Sequence, residues 1–103
     1  MTPDQVLDRA ADLLERDGWQ RWDTGPLDVN VGGPRCAMGA IRATVRADLG
    51  YAGSGLDSEA MKALGVEVGT YWIGDWNDTV AKDKRQVVRT LRRTARKLRG
   101  EKR

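Results

Sequence analysis

Four stretches of the sequence carry side chains that could do chemistry. Asp75-Trp76-Asn77-Asp78 sets two carboxylates three residues apart, a spacing that could supply a general acid and base or hold a divalent cation. An EF-hand loop would need further oxygen ligands, a central Gly and a late Glu, and none occurs at those offsets. The structural reading is favoured: Asn77 and Asp78 accept backbone N–H bonds at a turn or helix start, with Trp76 buried beside them. Cys36 stands where a helix is expected to begin, a place where the helix dipole lowers a thiol pKa. No base is available to activate it, so it reads as a small buried side chain. Cys36-Ala37-Met38-Gly39-Ala40 is then a run of small residues that lets another helix or an indole ring come close. Gly32-Gly33-Pro34-Arg35 has the look of an anion-binding turn, but lacks the Gly-Lys-Ser/Thr of a phosphate loop and reads as a turn.

What is missing narrows the chemistry further. The sequence contains no His and a single Cys. Ser-His-Asp and Cys-His nucleophile schemes are excluded, as is a His-containing zinc site. No metal, no cofactor and no catalysis are expected.

The fourth stretch is the C-terminal one. From Lys82 to Arg103 there are eleven Lys/Arg against Asp83 and Glu101, a net +9, while residues 1–81 carry seven Lys/Arg and thirteen Asp/Glu, a net −6. On a helical wheel Val87, Val88, Leu91, Ala95 and Leu98 cluster on one side. Arg85, Arg89, Arg92, Arg93, Arg96 and Arg99 fall opposite, joined by Lys97. Seven like charges on one arc, with few acids along the helix to relieve them, point to a polyanionic partner. Nucleic acid comes first and an acidic protein surface second; Arg in place of Lys suits bidentate contacts to phosphate or carboxylate. About five phosphate contacts would give a log–log salt slope near −4.5 on duplex DNA. Helix one presents Asp4, Asp8, Asp12 and Glu15 on its polar side, so a head-to-tail or two-fold contact could also pair two copies through the acidic first and basic last helices.

These residues are positioned by a chain of 103 amino acids, 40% hydrophobic and 32% charged, with four Trp and no Phe. That length predicts one domain, residues 1–103. A lone Cys, an N-terminus without signal-peptide character and no apolar run long enough to span a bilayer predict a cytoplasmic protein without a membrane span.

The fold class expected is mainly α, a compact domain of about four helices. The first, about 3–17, has a Thr2-Pro3-Asp4-Gln5 capping pattern, a buried stripe of Val6, Leu7, Ala10, Leu13 and Leu14, and Gly18 as a left-handed stop. Residues 19–35 read as an irregular loop held down by Trp19 and Trp22, with Leu27, Val29 and Val31 able to form one short strand. The second helix, about 35–49, buries Met38, Ile41, Val45 and Leu49. The third, about 58–64, is capped by Asp57 or Ser58 and closed by Gly65, and residues 66–73 are β-prone. A second capping box, Asp83-Lys84-Arg85-Gln86, opens the last helix, about 83–99. Trp19, Trp22, Trp72 and Trp76 are expected to be the large pieces of the core.

At Cys36-Ala37-Met38-Gly39-Ala40-Ile41 and Trp76-Asn77-Asp78 the chain resembles a family of small uncharacterised actinobacterial and actinophage proteins. Its pattern is a first helix, Cys-x-x-Gly-Ala opening a second, then Trp-Asn-Asp ahead of a final helix. The resemblance implies an accessory protein, plausibly phage-encoded, acting in the host cytoplasm, and it implies no activity. The Arg-dense tail exceeds what that family pattern leads one to expect.

Overall fold

Pro3 fixes the first helical turn and Thr2 supplies its cap: the Thr2 N–H donates to Gln5 Oε1 at 3.0 Å, one arm of a capping box. In the computed structural model, which describes residues 1–51 and 53–101, this helix, α1, runs Pro3–Asp17 as the sequence predicts. It is followed by α2 (Ala37–Leu49), α3 (Leu56–Val68), a single turn α4 (Ile73–Asp75), a π-helical turn Trp76–Val80, and α5 (Lys84–Leu98). The molecule is mainly α, and β structure among the described residues is limited to one parallel bridge between Trp19 and Arg35.

The apolar stripe of α1 is the centre of the core. Val6, Leu7, Ala10 and Leu14 are fully buried between α5 and α2, where they meet Ile41, Val45, Leu64, Val87 and Leu91. Burying side chains of this kind contributes about 1.5–3 kcal/mol each. On α2 the buried face is broader and smaller than the expected stripe: Ala37, Ala40, Ala43 and Thr44 join Ile41 and Val45, while Met38 is half-buried and Leu49 is exposed.

Four expectations are corrected. First, α3 does not stop at Gly65 and residues 66–68 are not extended; the helix passes through Gly65 to Val68 and ends at Gly69, whose φ of +75° is left-handed. Gly65 is needed because a Cβ there would sit 2.7 Å from the Thr70 carbonyl oxygen, so the glycine admits a returning loop. Gly55, not Asp57 or Ser58, is the N-cap of α3, and Asp57 lies inside the first turn, where its carboxylate accepts from the Gly53 and Ser58 N–H groups. Second, Gly18 ends α1 with φ +103° and ψ 166°, a positive-φ extended exit and not a left-handed cap. Third, Leu27, Val29 and Val31 form no strand. Fourth, Trp22 and Trp72 are exposed; Trp76 is buried and Trp19 half-buried, so only these two serve the core.

The loop from 19 to 35 is organised by Arg35 instead, the largest fully buried side chain in the molecule. Its Nε donates to the Pro26 carbonyl at 2.7 Å, one terminal nitrogen to Asp17 Oδ2 at 2.6 Å and Gly33 O at 3.2 Å, and the other to Asp28 O at 2.8 Å and Val31 O at 2.6 Å. Loop carbonyls have no helix or sheet to satisfy them, and one guanidinium collects four of them together with the last carboxylate of α1. Arg35 is therefore withdrawn from solvent, and Gly32-Gly33-Pro34-Arg35 does not offer it to an anion.

Candidate functional site

The last helix begins where its capping box predicts. Asp83 is the N-cap and accepts from the Gln86 N–H at 2.8 Å, while Gln86 Oε1 reaches back to the Lys82 N–H at 2.7 Å. Val87, Val88, Leu91 and Ala95 face the core as expected, joined by Thr90 and Thr94, whose hydroxyls donate to carbonyls one turn back at 2.8 Å. Leu98, placed with them by the wheel, is 48% exposed.

The basic arc is not one uniform face. Its two flanks are tied into the molecule and its centre is not. On the α1 side, Arg99 bridges Asp4 and Asp8, each at 2.9 Å, and Arg92 pairs with Asp12 at 2.8 Å and lies 3.8 Å from Glu15. The two Asp partners raise the Arg99 pKa further, chiefly through the hydrogen bond that Arg99 donates to Asp8. On the α3 side, Arg93 and Lys97 converge on Glu67 at 2.6 and 2.9 Å. The Glu67 carboxyl is held below its ordinary pKa, first by Lys97 and then by Arg93. Between these flanks Lys84, Arg85, Arg89 and Arg96 have no ion-pair partner among the described residues. Together with Val88, Arg92 and Glu15 they line a surface groove of about 480 Å³ along the seam between α1 and α5.

This arrangement changes the expectation of a self-contact. The acids of α1 that were to meet another copy's basic helix meet the chain's own α5, so charge complementarity between those two faces is consumed within one molecule. Lys102 and Arg103, counted in the net +9, lie outside the described residues.

Trp76-Asn77-Asp78 is a junction, as its side-chain types predict, but its partners lie far away in sequence. Trp76 is 6% exposed and belongs to the core. Asn77 Oδ1 accepts from the Trp19 indole N–H at 2.7 Å and from the Ala37 N–H at 3.0 Å, so it caps the start of α2 and leaves α5 to Asp83. Its amide donates to Gln20 O at 3.2 Å and to Asp78 Oδ1 at 2.9 Å. Asp78 Oδ1 also accepts from the Trp22 N–H at 2.8 Å. The π-helical turn thus clamps the loop 19–35 and the N-terminus of α2 at one point. Asn77→Ala removes four bonds and strands the buried Trp19 and Ala37 donors, and is expected to lower the unfolding free energy by about 2–4 kcal/mol. A urea titration at neutral pH measures this.

Cys36 is buried and is the N-cap of α2, its Sγ accepting from the Gly39 N–H at 3.3 Å. Burial pushes its thiol pKa up, against the direction the helix dipole suggested. Gly39 is indeed a close-approach residue, and what comes nearest to it is loop backbone. A Cβ on Gly39 would stand 2.0 Å from the Thr24 carbonyl oxygen, so it is the loop backbone that rests there.

Two residues of the site carry no signal in local sequence. Arg35 could have been suspected only from its surroundings: a long loop rich in unpaired carbonyls needs a multivalent donor. Glu67, in a segment read as β-prone, becomes meaningful only once α3 is extended to bring it to α5.

No helix among the described residues is long and apolar enough to cross a membrane. No curated protein and no solved structure matches the chain. A model of the family of unknown function DUF6197 matches residues 1–97, from the first helix to the penultimate residue of α5, and the chain belongs to that family.

Proposed function

We propose that the protein is a non-enzymatic binding module that presents the central ridge of α5 to a polyanion, with nucleic acid as the partner. One observation carries the reading: Lys84, Arg85, Arg89 and Arg96 line one groove and form no ion pair among the described residues, the groove's one acid, Glu15, lying 3.8 Å from Arg92, while acids on α1 and α3 pair with the cations on either side. Cations kept only for solubility need no such sorting. Guanidinium groups left without an intramolecular acid on one side of a helix suit bidentate contacts to phosphates. An accessory role in the cytoplasm of an actinobacterial host, encoded by a phage, belongs to the same proposal and follows the family resemblance.

The test is a comparison of two triplets by fluorescence anisotropy on a labelled duplex. Arg85→Ala/Arg89→Ala/Arg96→Ala is expected to weaken binding by more than about 100-fold at low salt, since each lost phosphate contact also loses its counterion release. Arg92→Ala/Arg93→Ala/Lys97→Ala, removing the same number of charges from the tied flanks, is expected to cost far less. Equal losses would show that only net charge matters. Binding of the wild type to an acidic protein that survives nuclease and is lost in the first triplet, with no affinity for DNA or RNA, would replace nucleic acid by a protein surface.

A further inference from the structure

The strongest unassigned feature outside the α5 ridge is Trp22. Its ring is 73% exposed, although the sequence offers it as a core residue. Its backbone has φ +70°, the single positive-φ non-glycine among the described residues. A bulky side chain in that region is an outlier, and the surroundings must hold it there. Here the holder is identifiable: Asp78 Oδ1 accepts the Trp22 N–H at 2.8 Å, and Asn77 fixes Asp78 on one side and Gln20 O on the other. The junction of the π-helical turn therefore secures a strained backbone that turns an indole outward.

The Trp22 backbone is tied through its N–H to Asp78, five residues before Asp83, the N-cap of α5. Residue 21 runs along the segment leading into α5: Arg21 donates to the carbonyls of Ala81 and Lys82 and stacks over Trp19 at 4.8 Å. Lys82, Lys84 and Arg85 follow at once, all exposed. Three acids of the same region face backbone donors: Asp23 takes the Gly25 N–H, Asp78 the Trp22 N–H and Asp83 the Gln86 N–H. Cations leading from an exposed, pre-set aromatic ring onto a helical ridge match a strand with both phosphates and an accessible base face. In a duplex the base faces are stacked away; in a single strand they are open.

We propose that Trp22 is a stacking platform for an unpaired base of a single-stranded nucleic acid, whose phosphates continue past Lys82 and Lys84 onto Arg85 and Arg89. The inference rests on the nucleic-acid reading of α5 and specifies its substrate as single-stranded.

The experiment titrates labelled oligo(dT) and a duplex of equal charge with the full chain and two variants. Trp22→Asn removes the ring and suits a left-handed backbone, so it is expected to fold with an unchanged or raised melting temperature. Trp22→Tyr keeps a ring. Loss of roughly 5- to 100-fold in affinity for oligo(dT) with Trp22→Asn, under about twofold on the duplex, an unaltered salt slope and recovery of most binding with Trp22→Tyr are the expected results. Equal losses on both strands, or none on oligo(dT), would overturn the stacking role while leaving the ridge intact. Failure of the wild type to bind either form would overturn this inference and the nucleic-acid reading together.

Discussion

Arg35→Ala is expected to lower the unfolding free energy by about 3–5 kcal/mol, the range seen when one partner is removed from a buried charged network. The guanidinium is fully buried and makes five hydrogen bonds, so its loss takes a donor from four loop carbonyls, of which Asp28 O keeps the Val31 N–H at 3.0 Å, and leaves Asp17 without its buried partner. Arg35→Lys is expected to recover little, because an ammonium has three donors and no planar fork to reach carbonyls on several sides. Equilibrium denaturation measures both variants, and a cost below about 1 kcal/mol for Arg35→Ala would contradict the role given to this residue.

The same network carries a pH dependence with a definite sign. The Asp17 carboxyl is held down to about 2, mainly by the hydrogen bond from Arg16 and secondarily by Arg35, against an ordinary value of 3.8. A carboxylate whose folded pKa is lowered contributes stability above its unfolded pKa and loses it as the folded value is approached. Stability from Asp17 is therefore complete above pH 4–5 and disappears between about pH 4 and 2. Glu67, lowered by Lys97 and Arg93, acts in the same direction. Melting temperature followed through this window is expected to fall less steeply in Asp17→Asn, whose side chain no longer titrates.

Trp76→Ala is the second large effect, at about 3–5 kcal/mol, the usual result of emptying a buried indole site. The ring is 6% exposed and belongs to the core. Asn77 follows it directly, so a slackened π-helical turn also disturbs the clamp on Trp19 and Ala37. Trp72→Ala is the control. That ring is 59% exposed, and its removal is expected to cost less than about 1 kcal/mol. Similar midpoints for the two variants in denaturant would show that Trp76 does not anchor the turn.

The contrast between the two indoles shows what the sequence conveys and what it does not. Both lie within five residues, and composition alone assigns both to the core. What separates them is backbone position: Trp72 is the extended residue ahead of α4, with φ −123° and ψ 102°, whereas Trp76 opens the π-helical turn, and no periodicity in a five-residue segment announces that boundary. Elements marked by both an apolar period and a cap, α1 and α5, are legible almost to the residue. Gly65 shows the opposite case. A glycine after an apolar run reads as a stop, yet its cause is the Thr70 carbonyl passing close by, a contact made by a loop that local sequence cannot place.

The basic helix was legible as a charge pattern and opaque as a site. A wheel ranks Arg85 to Arg99 by angle and cannot know that α1 will bring Asp4, Asp8 and Asp12 to one flank and α3 will bring Glu67 to the other. Packing divides seven equivalent cations into tied and untied ones. Asn77 and Asp78 were recognisable as acceptors of backbone N–H bonds, but their donors, at Ala37 and Trp22, are separated from them by 40 and 56 positions.

The central claim is that Arg85, Arg89 and Arg96, the three untied cations of the seven-residue arc, meet the polyanion together with Lys84, and that the four tied ones do not. The slope of log Kobs against log salt on duplex DNA tests it most directly. Lys84, Arg85, Arg89 and Arg96 predict a slope of about −3.6, and Arg85→Ala/Arg89→Ala/Arg96→Ala reduces it to about −0.9. A slope near −6, the value for seven contacts, or one that the triple substitution leaves unchanged, would contradict the account.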